Sequence, residues 1–108
     1  MQSVKEGLQG WLQDLKTEKQ NAEERLRQAK LNFELTQVKF NIATSAKERL
    51  PHKQEVQDEF YEQHVKQLEQ SYESFISSYE ETRKKVYREI QYLETLIRRV
   101  EESLPEFE

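Results

Sequence analysis

Leu8, Leu12, Leu15, Lys19, Ala22, Leu26, Ala29, Phe33, Thr36, Phe40 and Ala43 follow one another at alternating spacings of four and three, without a break. That alternation averages close to the α-helical repeat, so these side chains fall in one stripe along a helix. A second stripe runs through Tyr61, Val65, Leu68, Tyr72, Phe75, Tyr79, Thr82, Val86, Ile90, Leu93, Ile97, Val100 and Leu104. Its one irregularity is Thr82–Val86–Ile90, two successive steps of four, a stutter that relaxes a supercoil locally. No stretch alternates with the period of a strand.

The interruptions between and around the stripes are few, since the chain of 108 residues has two Gly and two Pro. Ser3-Val4-Lys5-Glu6 spells a capping box for a first helix. Pro51 disfavours the helical conformation at Leu50 and suits the first turn of a new helix. Glu55, Asp58 and Glu59 follow it, as the positive end of a helix dipole prefers. Pro105 closes the second segment. The expected organisation is a single α-helical hairpin domain over 1–108, with a helix at about 4–49, a turn at about 50–53 and a helix at about 54–104. Ser45-Ala46-Lys47-Glu48 spells another capping box, so a kink or short third helix at Thr44-Ser45 is the competing expectation.

Two matched stripes joined by a short turn pack antiparallel. With the turn near residue 52, Phe33 opposes Tyr72, Leu26 opposes Tyr79, Phe40 opposes His64 and Val65, Leu12 opposes Leu93, and Leu8 opposes Ile97. Ala22 opposite Thr82 makes a narrow waist. The expected fold class is all-α: two long helices forming an antiparallel coiled-coil hairpin, completed into a helical bundle by self-association or a partner.

The reason to expect a partner is a surplus of apolar residues. Leu31, Leu35, Val38, Ile42 and Ala46 recur at spacings of four, three, four and four, on the side of the first helix opposite Phe33 and Phe40. A helix apolar on two opposed faces is sandwiched between two neighbours, and the hairpin supplies one. Leu31, Leu35, Val38 and Ile42, helped by Val56 and Phe60, are the expected partner-binding residues. Trp11, Tyr92 and Leu96, at the other end, form a secondary patch. Isolated exposed apolar residues are ordinary, but four aliphatic side chains in helical register are not isolated.

No constellation for chemistry emerges. Without Cys the chain has no thiolate nucleophile, thiolate metal site or disulfide. His52 and His64 lack the spacing of a metal-binding helix, and Gly7 and Gly10 do not form a phosphate loop. Paired carboxylates need a cleft to tune them, and a slim hairpin offers none. The expectation is therefore no enzyme, no catalytic or metal residues and no cofactor. A net charge of -4 argues against nucleic acid. The basic stretch 83–99, Arg83-Lys84-Lys85 with Arg88, Arg98 and Arg99, reads as flanking charge, with nucleic-acid or membrane-surface binding as the lesser alternative. Residues 54–81 hold one Lys and eight acids, whereas 82–100 hold six bases and two acids. No run approaches the ~18 apolar residues of a membrane span. The N-terminus lacks the pattern of a cleaved signal, so cytoplasmic residence is the default and signal-less export stays open.

Together these features describe a non-catalytic coiled-coil protein–protein interaction module, an adaptor or assembly subunit of a larger complex. The alternative is a small helical partner or targeting chaperone for a larger exported or toxic protein.

Overall fold

The computed structural model describes residues 3–107, and no strand occurs among them. The chain forms an all-α helical hairpin. Helix α1 spans Val4–Glu48 and α2 spans Gln54–Phe60. A π-helical segment, Tyr61–Val65, joins α2 to α3, Lys66–Ser103, and a 3-10 turn follows at Leu104–Phe107.

Helix α1 starts as its capping residue dictates: the Glu6 amide donates to the Ser3 hydroxyl at 3.1 Å. It then continues through Thr44-Ser45 without a break. The Thr44 hydroxyl donates to the Phe40 carbonyl at 2.9 Å, a bond back within α1.

Between the helices, Pro51 lies three residues ahead of α2 rather than in its first turn. The Lys53 amide donates to the Pro51 carbonyl at 2.8 Å, and Lys53 holds extended backbone angles immediately before Gln54. The last turn of α1 leaves carbonyls without helical partners. Gln57, on the next helix, reaches back to the end of α1 and to the turn. Its side-chain amide donates to the carbonyls of Lys47 at 3.0 Å, Pro51 at 3.3 Å and Leu50 at 3.5 Å.

The π segment departs from the uninterrupted second helix that the stripe suggested. A π turn inserts one extra residue into a helix. Here it carries Tyr61 at its start and the buried Val65 at its end. The Tyr61 hydroxyl donates to the Glu69 carboxylate at 2.8 Å.

The chain divides into two compact units. The first comprises the described residues of Met1–Arg27 and Thr82–Glu108. Its core is aliphatic: Leu15, Leu93, Ile97 and Val100, with Leu8, Leu12 and Leu104 packed against them. Ala22 is fully buried, and Val86 is buried as well. On the surface Arg25 donates to Glu89 at 2.6 Å and Lys19 lies 3.4 Å from Glu94. Exposed pairs of this kind contribute about 0.2–1 kcal/mol each and mainly favour one pairing over its alternatives.

The second unit is Gln28–Glu81. Its packing is aromatic. Phe33 stacks on Tyr79 at 5.0 Å and on Tyr72 at 5.9 Å, and Phe40 stacks on Tyr72 at 5.6 Å. Tyr79 therefore meets Phe33, one heptad beyond the Leu26 expected from a simple fold-back. Phe40 stacks on Tyr72, while the His64 ring lies against Phe60 at 5.1 Å. Two causes account for this shift. Long helical side chains lean toward their own N-terminus. In an antiparallel pair these leans are opposed, so touching residues lie further along both helices than a count from the turn gives. The extra residue of the π turn adds to the offset.

Candidate functional site

The four aliphatic residues expected to face a partner all point away from the aromatic stacks. Leu31 is 53% exposed, Leu35 48%, Val38 51% and Ile42 64%. Helical spacing puts them within one narrow sector of α1, while Phe33 and Phe40 occupy the opposite one. The stripe ends in an open depression lined by Val38, Asn41, Ile42, Ser45, Ala46 and Arg49. Arg49 thus shares a face with Val38 and Ile42.

Val56 and Phe60 are half-buried and line a separate depression with Leu50, Glu59, Gln63 and His64. They are partly covered by the turn and by the Phe60–His64 ring contact, so the continuous exposed stripe is the one on α1.

The secondary patch lies within the first unit. Trp11 and Leu96, 46% and 42% exposed, share an open groove with Leu8, Val100 and Phe107. Tyr92 lines a different depression, with Glu18, Lys85, Arg88 and Leu93. Phe107 belongs to the Trp11 groove but carries no heptad signal, because it falls in the 3-10 turn beyond α3. Phe75, assigned to the packing stripe by spacing, is instead exposed, as is its neighbour Ile76. The Phe33–Tyr72 and Phe33–Tyr79 stacks occupy the helix face on either side of that position.

Ionisable groups lie at the surface: no polar or charged residue among those described is buried. The titration of Tyr61 is displaced upward. Its hydrogen bond to Glu69, some loss of water, and the charges of Glu69, Glu62 and Glu73 hold its hydroxyl above the ordinary value of 10.0. Among the described residues no group of three or more His, Cys, Asp or Glu side chains is placed to hold a metal ion. His52 and His64 are both exposed. In the basic stretch, Arg99 donates to Glu102 at 3.1 Å, and Glu94 and Glu89 are drawn toward Lys19 and Arg25 of α1. Among the described residues no helix is long and apolar enough to cross a membrane. The features available for recognition are thus faces of helices, apolar along their centres and charged at their margins.

Comparison with protein-family models, with curated proteins and with solved structures finds no match for this chain.

Proposed function

We propose that this protein is a non-catalytic helical interaction module, an adaptor or assembly subunit, that binds a helix of another chain along Leu31, Leu35, Val38 and Ile42. The observation that carries this reading is the roughly half exposure of all four side chains on the helix face opposite the hairpin's own contacts. Full burial of a Leu, Val or Ile is worth about 1.5–3 kcal/mol. Covering the exposed half of each contributes about 1 kcal/mol per residue. The sum is enough to hold a partner only if the stripe is covered as a unit, because association itself costs several kcal/mol. The groove of Trp11, Leu96 and Phe107 supplies a second apolar surface on the other unit, and an adaptor needs two.

Replacing Leu35 and Ile42 together with Glu tests the reading. The stacks of Phe33 and Phe40 are untouched, so circular dichroism should report unchanged helix while sedimentation reports loss of the bound state. Phe33 and Phe40 replaced together with Glu should instead unfold the second unit. A Leu35/Ile42 variant that keeps both its mass in solution and its partner would remove this face as the interface.

A further inference from the structure

The apolar stripe of α1 reads the same in both directions. Leu31, Leu35, Val38 and Ile42 are spaced four, three and four. One heptad before Leu31 stands Glu24, and one heptad after Ile42 stands Arg49, which lines the same depression as Val38 and Ile42. We infer that the occupant of this face is a second copy of the chain, laid antiparallel along α1 about a two-fold axis between Thr36 and Gln37. This rests on the reading of the stripe as an interface and names its partner.

The argument is one of complementarity. A two-fold interface apposes each residue with its counterpart across the axis. Here Leu35 meets Val38, Leu31 meets Ile42, Gln28 meets Ser45 and Glu24 meets Arg49, each contact occurring twice. Apolar layers meet apolar layers, polar meets polar, and the outermost layers carry opposite charges. On one flank Arg27 of one copy faces Glu48 of the other. Within each copy Arg27 already lies 2.8 Å from Glu24, so an incoming Glu48 and Arg49 complete an alternating group of four charges at each end. Sliding the copies by one heptad destroys the match, because Ile42 then meets Glu24 and Gln28 meets Val38. A parallel arrangement fails differently: Glu24 meets Glu24 and Arg49 meets Arg49, like charges in the packed layers. The antiparallel register is the one in which no layer is mismatched. It places one helix face against its copy, a small interface, so the dimer should be weak and dissociate readily on dilution.

Because the chain has no Cys, engineered thiols read the register directly. Variants L31C and I42C are made separately, and circular dichroism confirms their helix content. Mixed and treated with a short thiol crosslinker, they should give a covalent dimer containing one of each. L31C alone should give none, since its two thiols lie eleven positions apart along the antiparallel pair, about 16 Å at 1.5 Å per residue, beyond a disulfide's reach. In sedimentation equilibrium the wild type should pass from monomer to dimer with concentration. E24R and R49E should each weaken the dimer about tenfold, and E24R/R49E in one chain should recover it. A wild type that stays monomeric throughout, a double charge variant no better than the single ones, or L31C crosslinking with itself would overturn the proposal. If it falls while the Leu35/Ile42 double Glu variant still loses a protein that the wild type binds, the face remains an interface with a different partner. If that variant loses nothing, the interface reading falls with it.

Discussion

Tyr61 and Gln57 show how single side chains hold the irregular part of this fold. The raised titration of Tyr61 arises first from its hydrogen bond to Glu69. A group whose folded value lies above its unfolded one favours the folded state while protonated. Its contribution is therefore full below pH 10.0 and is lost as pH rises through the higher folded value. Alkaline titration followed at 295 nm should show a late-ionising component in the wild type that Tyr61→Phe removes. Superimposable curves for the two proteins would refute the assignment. Gln57 acts on the turn. Its amide donates to the carbonyls of Lys47, at the end of α1, and of Pro51, in the turn, and a net hydrogen bond is worth about 0.5–1.5 kcal/mol. Gln57→Ala should lower stability by about 1 kcal/mol in urea denaturation. Gln57→Glu should lower it further, because a carboxylate cannot donate to those oxygens.

At the scale of the helices, Tyr72 is the central contact of the second unit. It stacks on Phe33 and on Phe40, and its hydroxyl accepts from the Gln37 amide at 3.3 Å. Stacked rings add about 0.5–1.5 kcal/mol per pair beyond the area they bury. Tyr72→Ala should therefore destabilise by about 2–4 kcal/mol in thermal denaturation, whereas Tyr72→Phe keeps both stacks and should stay within about 1 kcal/mol of the wild type. The sequence announced the helices and which face of each turns inward, because heptad spacing is a local property that survives any detail of the turn. It announced the exposed stripe of α1 for the same reason. It announced Phe33 against Tyr72 but not Phe33 against Tyr79 or Phe40 against Tyr72, since these depend on side-chain lean and on one extra residue at Tyr61–Val65, and no spacing marks a π turn. Nor did it announce Gln57, an amide that resembles any other near a helix start, or Phe107, which lies outside both stripes.

For the molecule as a whole, the two units are held by unequal means. Leu15, Ala22, Val86, Leu93, Ile97 and Val100, all buried, belong to the first unit, and among the described residues Val65 is the buried apolar residue of the second. The second unit relies on half-buried rings, and it is also the unit that carries Leu31, Leu35, Val38 and Ile42 in the open. Local opening requires least free energy where apolar burial is thinnest. At low protein concentration, hydrogen exchange should therefore be faster through residues 28–81 than through the aliphatic core of the first unit. A ligand that binds only the folded form stabilises it in proportion to its occupancy, and a second copy is such a ligand. Raising the concentration should slow exchange in α1 from Gln28 to Glu48 and leave the segments around Leu15 and Leu93 unchanged. The Leu35/Ile42 double Glu variant should show the low-concentration pattern at every concentration. Equal protection of both units in the dilute wild type would mean that the aromatic stacks alone suffice. The second unit would then need no covering chain for its stability, and its exposed stripe would have to be explained by recognition only.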